Sequence, residues 1–75
     1  MLNYKKKNGT YRIYSKKTGK VIMEKNYRNG DLNGEFNYFW DNGQLHVTGF
    51  FNNKRRAGTW INYDINGNII LKENY

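Results

Sequence analysis

Asp41-Asn42-Gly43-Gln44-Leu45-His46-Val47-Thr48-Gly49-Phe50-Phe51 is the stretch that decides the fold. It begins with Asn-Gly, two residues that tolerate positive φ and close the type I′ turns favoured by hairpins. Beyond the turn the chain alternates. Leu45, Val47 and Phe51 fall on one face, and His46 falls on the other. A period of two is the pattern of a half-buried strand. Asn-Gly recurs at 8–9, 29–30, 33–34 and 66–67. With Gly or Asn interrupting every window of about ten residues, no amphipathic helix fits the chain.

The same pattern returns on both sides of this stretch. Gly19, Gly43 and Gly67 are 24 residues apart, as are Val21, Leu45 and Ile69, and Tyr27, Phe51 and Tyr75. Gly34-Glu35-Phe36 and Gly58-Thr59-Trp60 keep the interval, while Gly9-Thr10-Tyr11 lies one residue early. The first unit therefore carries one extra residue, placed near Lys16-Lys17-Thr18. Self-similarity at a fixed period marks a repeat architecture. The units run 9–33, 34–57 and 58–75, and residues 1–8 read as the tail of a preceding unit, with Leu2 or Tyr4 in its aromatic place. Each unit holds two strand-like runs. The expectation is an all-β, single-layer antiparallel meander of three successive hairpin repeats, each about 24 residues, forming one domain over residues 1–75.

Gly34-Glu35-Phe36-Asn37-Tyr38-Phe39 followed by Asp41-Asn42-Gly43-Gln44-Leu45 resembles a MORN repeat of the bacterial variant type. Gly58-Thr59-Trp60-Ile61-Asn62-Tyr63 with Asn66-Gly67-Asn68-Ile69 is a closer match to its Gly-x-Trp-x-x-Tyr…Asn-Gly-x-Leu pattern. The resemblance implies a single-layer sheet of hairpins. It also implies roles in scaffolding, protein–protein contact, dimerisation or anionic-lipid contact, and some bacterial members are antitoxin-like. The first unit departs from the pattern with Thr18-Gly19 in place of Asn-Gly. Gly49 departs too, at a strand position usually filled by a larger side chain.

Composition agrees with a thin sheet. The 75 residues are 37% hydrophobic and 17% aromatic, with no cysteine and no proline. A disordered chain is poor in aromatics, and one this short buries only a modest share of its surface. Lack of cysteine excludes disulfides and thiolate metal sites. No export signal or membrane span is visible, so the expected location is cytoplasmic.

A single layer leaves both faces bare. The ladders Tyr11–Phe36–Trp60 and Tyr27–Phe51–Tyr75 are placed to pack across strands, which stabilises a sheet by about 0.2–1 kcal/mol per pair. Ile22, Phe50 and Ile70 are read as one equivalent row on the opposite face from Val21, Leu45 and Ile69. Trp40 and Ile65 fall near turns. At least one apolar stripe then stays exposed, and such patches mark partner sites. The last strand, 69–75, adds an open edge, which Lys72 and Glu73 would blunt.

The net charge of +7 is uneven: +8 over residues 1–28, −3 over 29–53 and +2 over 54–75. Lys5-Lys6-Lys7 and Lys54-Arg55-Arg56 are expected on one sheet edge, about four strands apart, on the order of 20 Å. Lys16, Lys17 and Lys20 flank a turn on the other edge. These clusters read either as solvated turn charge or as docking points for a polyanion or an acidic protein patch.

Catalytic parts are few. His46 has no second histidine or cysteine to share a metal with, and Ser15 is the only serine. Asp41 and Asp64 are read as equivalent turn caps rather than a carboxylate pair. The expectation is no enzyme, no cofactor and no metal. The sequence reads as a protein–protein interaction module, a reading that takes in a homodimer and an inhibitor or antitoxin-like factor. Its expected contacts are Trp40, His46, Phe50, Lys54, Arg55 and Arg56, with Lys5, Lys6, Lys7, Lys16 and Lys17 secondary. The alternatives are a binder of nucleic acid or anionic lipid, or a phage-encoded inhibitor of a nucleic-acid-handling defence enzyme such as a CRISPR effector.

Overall fold

The computed structural model describes residues 5–75; the expectation for Leu2 and Tyr4 lies outside them. Six strands follow one another: β1 (Gly9–Tyr14), β2 (Val21–Arg28), β3 (Asp31–Phe39), β4 (Leu45–Asn52), β5 (Arg55–Tyr63) and β6 (Ile69–Asn74). They form one antiparallel sheet in the order β1-β2-β3-β4-β5-β6, with β1 and β6 at its open edges. The molecule measures 50 × 33 × 13 Å, and its thinness is that of a single sheet.

Two kinds of turn build the meander. Between hairpins, Asn29-Gly30 and Asn53-Lys54 both place two successive residues at positive φ, the type I′ geometry that matches strand twist. In the within-hairpin turns, positive φ falls to the glycines Gly19, Gly43 and Gly67 alone. The Gly43 N–H donates to Trp40 O at 2.9 Å and the Gly67 N–H to Asp64 O at 3.0 Å. This is a turn closed by a left-handed glycine, the form that generates a bulge in the following strand. Gly19 instead donates to Ser15 O, four residues back, so the extra residue of the first unit is accommodated there. The type I′ expectation thus holds at 29–30, while 42–43 and 66–67 adopt the bulged alternative. Asn33-Gly34 lies inside β3 rather than in a turn.

The bulges repeat. Tyr14 pairs with Val21 and Ile13 with Met23, leaving Ile22 unpaired. His46 and Ile70 are left out in the same way. These three residues are 24 apart, so the sequence-derived row needs correction. The equivalent of Ile22 and Ile70 is His46, and Phe50 stands where the other hairpins carry Asn26 and Asn74. Asp41 and Asp64 are likewise not equivalent: Trp40 and Asp64 hold the same turn position, each donating its N–H across the turn, to Gln44 O and Asn68 O.

Paired residues share a face, which sorts the side chains. One face carries Tyr11, Lys25, Phe36 and Gly49 in one cross-strand row, with Trp60 opposite Glu73. The other carries Arg12, Glu24, Asn37, Thr48, Ile61 and Lys72 in a continuous register. Hydrogen bonds link the first four of that row. Arg12 Nε donates to Glu24 Oε2 at 2.8 Å, Asn37 Nδ2 to Glu24 Oε1 at 3.3 Å, and Thr48 Oγ1 to Asn37 Oδ1 at 2.6 Å.

The core lies on the aromatic face and centres on Trp60, which is 4% exposed and the sole buried hydrophobic side chain among the described residues. Its indole stacks on Phe36 at 5.6 Å and meets Phe51 edge-on at 5.1 Å. It fits because Gly49 has no side chain: a Cβ there would lie 2.1 Å from the ring. Bare backbone on a strand is covered by a neighbouring aromatic. The equivalent positions in the other hairpins hold Lys25 and Glu73. The two expected ladders therefore join at Trp60, where Phe36–Phe51 and Trp60–Tyr75 also pair across each hairpin, whereas Tyr11 and Tyr27 form a separate T-shaped pair at 5.5 Å.

Candidate interaction surfaces

The expected contact residues fall into separate places. Trp40 and His46 come together at the within-hairpin turn edge, their rings stacked at 3.6 Å, with Tyr38 against the other side of the imidazole at 5.2 Å. Tyr38 pairs directly with Val47. The bulge thus turns His46 onto the face of Val47, not the opposite face that strict alternation assigns. The Trp40 indole N–H donates to Tyr63 O at 3.3 Å, tying neighbouring hairpins. Both rings are half-buried, so their first role is local packing.

Phe50 lies on the polar face, where it is 46% exposed. It borders a shallow concavity of about 380 Å³ lined by Arg12, Glu24, Asn33 and Glu35, among others. Asn26 at the corresponding position of the first hairpin accepts from Thr10 Oγ1 at 2.6 Å and donates to Glu35 O at 2.8 Å. Asn74 accepts from Thr59 Oγ1 at 2.8 Å. Phe50 breaks that polar row and leaves an apolar ring in its place.

Lys54, Arg55 and Arg56 sit at the far edge, beside the between-hairpin turns. Lys5, Lys6 and Lys7 join them there: the Gly30 N–H donates to Lys7 O and the Lys54 N–H to Leu32 O, at 2.9 and 2.8 Å. Side-chain amides continue the tie. Asn8 accepts from the Asn29 N–H at 2.9 Å, and Asn33 accepts from the Asn53 N–H at 3.2 Å. Lys16 and Lys17 are exposed at the opposite edge.

Two of the cations have a structural job that charge counting missed. The Arg56 guanidinium lies 4.8 Å from the Trp60 ring and 5.5 Å from that of Tyr75, and its Nη1 donates to the Tyr75 hydroxyl at 2.9 Å. Lys7 Nζ lies over Tyr11 and Tyr27 at 5.4 and 5.1 Å. Cation–π contacts at exposed sites contribute about 0.5–1 kcal/mol. The signal was available in the sequence: Lys7 precedes Tyr11, and Arg56 precedes Trp60, by the same four residues.

The largest apolar exposure lies elsewhere, on and beside β6. Ile69, Ile70 and Leu71 in the strand are 56%, 63% and 49% exposed, Tyr75 just after it 53%, and Ile65 in the preceding turn 52%. The sequence flagged the open edge and two of these residues, yet chose none of them as contacts. At the other edge, Tyr11, Ile13 and Tyr14 are also exposed.

Among the described residues no group of His, Cys, Asp and Glu is placed to hold a metal ion. No family model, no curated protein and no solved structure matches the chain.

Proposed function

We propose that the chain is a non-catalytic protein-interaction module that receives a partner on the β6 edge and its adjoining apolar side chains. One observation carries this reading. An edge strand with unpaired backbone groups holds three large apolar residues, Ile69, Ile70 and Leu71, each about half exposed or more, and Tyr75 just after it is equally exposed. Backbone pairing along such an edge supplies affinity, and alternate side chains supply specificity. Exposed apolar edges otherwise favour aggregation, and Lys72 and Glu73 are the polar residues that interrupt this one. The resemblance of the Gly-x-aromatic…Asn-Gly unit to MORN repeats agrees with a scaffold whose work is contact. A module of this kind suits an inhibitor or antitoxin-like factor, which acts by covering its target.

The test is capture from nuclease-treated native lysate, comparing the wild type with the double variant Ile70→Lys/Leu71→Lys. Loss of a saturable partner in the variant, with unchanged thermal stability, is the expected result. Equal capture by both proteins overturns the reading. Light scattering at high concentration distinguishes a second copy of the chain from a different partner.

A further inference from the structure

We propose that the ridge formed by the between-hairpin turns binds the phosphate backbone of nucleic acid. This inference is independent of the β6 reading and uses a different edge of the sheet.

The ridge collects three cationic groups in a line. Lys5, Lys6 and Lys7 lie beside the Asn29-Gly30 turn, where the Lys6 side chain approaches Gly30. Arg28 ends β2 at that same turn. Lys54, Arg55 and Arg56 form the next turn and the start of β5. The one carboxylate among these turn residues is Asp31, and it is already met by Lys54 Nζ at 3.9 Å. Lys5, Lys6, Arg28 and Arg55 are exposed and make none of the ion pairs formed among the described residues.

Spacing and rigidity favour a linear polyanion. Successive between-hairpin turns are two strands apart, about 10 Å, which is about one Debye length at 0.1 M salt. Their fields therefore add along the ridge. The turns are pinned to one another by the Gly30–Lys7 and Lys54–Leu32 backbone bonds, so the row exists before any ligand arrives. The sheet is 13 Å thick, and its edge offers a line of charge rather than the broad plane that a lipid surface engages.

Lys54 adds an observation of its own. Its φ is +72°, whereas the matching turn at Asn29-Gly30 has glycine in that place. A left-handed backbone costs a non-glycine residue about 1–2 kcal/mol. Strained residues concentrate at functional sites, and here the strained residue is a cation, 70% exposed at its side chain although its Nζ lies 3.9 Å from Asp31.

The contact is to phosphates and not to bases. Each aromatic ring nearest the ridge already holds a cation, Lys7 over Tyr11 and Tyr27 and Arg56 over Trp60 and Tyr75, so these rings serve the cations rather than forming a base-stacking platform. Binding should accordingly be insensitive to base sequence.

The test is fluorescence anisotropy with labelled 20-nucleotide single-stranded and 20-base-pair duplex DNA, each in two unrelated sequences, from 50 to 200 mM salt. Phosphatidylserine-containing vesicles serve as a second probe. The ridge variant carries Lys5→Gln, Lys6→Gln, Arg28→Gln and Arg55→Gln, which spares the cation–π pairs and the Lys54–Asp31 contact. The control carries Lys16→Gln and Lys17→Gln. Circular dichroism melting verifies that both fold. The expected results are sequence-independent binding, at least tenfold weaker binding by the ridge variant at 100 mM salt, and a log–log salt slope on duplex reduced by about 3.6. Little change is expected in the control. No binding to either DNA at 50 mM salt, equal losses in ridge and control variants, or ridge-dependent binding to vesicles without DNA binding would each overturn the proposal.

Discussion

Trp60 and Gly49 together explain why a sheet with so little interior holds one arrangement. The indole needs a strand position with no side chain, and β4 supplies it opposite the stretch where β5 crosses. Gly49→Ala forces the ring away from Phe36 and Phe51. A loss of about 1–3 kcal/mol is expected, enough to lower Tm by at least about 5 °C in a domain this small. In a Trp60→Leu background the same substitution should cost far less, because the clash is gone. Equal costs in both backgrounds would show that the pair is not coupled. Lys54 makes the opposite case. Lys54→Gly removes backbone strain of about 1–2 kcal/mol and forfeits an exposed ion pair that contributes about 0–1 kcal/mol. A small gain in stability, about 1 kcal/mol by urea denaturation, is expected, together with weaker DNA binding. A fall in stability would mean that the Asp31 contact outweighs the strain.

At the scale of elements, the within-hairpin turns differ in how they are locked, and the difference titrates. Asp64 accepts the backbone N–H of Asn68 at 2.9 Å and that of Asn66 at 2.9 Å, and the Asn68 side-chain amide at 3.3 Å. These bonds, the Asn68 backbone one foremost, hold its carboxyl below the ordinary carboxylate value of 3.8. A depressed folded-state pKa stabilises the turn above the unfolded value and loses that contribution as pH falls through the folded one. The β5–β6 turn should therefore loosen only below pH 3.8, read as movement of the Asn66 and Asn68 amide signals in an NMR titration. At the corresponding turn, Asn42 Oδ1 accepts the Gln44 N–H at 2.9 Å, and the amide does not titrate. Matched movement of the Gln44 amide signal over that range would refute the assignment. Much of this architecture was legible beforehand. The alternation at 45–51, the Asn-Gly turns and the 24-residue interval gave six strands in sequential order. The bulges at Ile22, His46 and Ile70 were not legible, because a bulge is a property of two strands' register and leaves no mark in the period of one. That is why alternation put His46 on the wrong face; the grouping of Phe50 with Ile22 and Ile70 departs from the 24-residue interval itself, which places His46 there.

Across the whole molecule, charge and apolar surface are sorted to different edges. The between-hairpin turns gather Lys5–Lys7 with Lys54–Arg56, while the apolar exposure concentrates on β6. Sequence blocks gave the first as a run of charge along the chain, and folding converted it into a lateral ridge. The chosen contact residues scattered because composition locates unusual residues but not the side of a sheet they share. The β6 surface depends on one structural claim: order is anchored at Trp60 and, among the described residues, no further strand pairs with β6. Residue-resolved amide hydrogen exchange on the isolated chain tests it directly, since local stability follows contact and burial. The expected profile is slowest exchange in β4 and β5 around Gly49 and Trp60, decreasing protection toward β1, and rapid exchange of the outward-pointing amides of β6. Slow exchange of those β6 amides at low concentration would show the edge to be covered and would contradict the account.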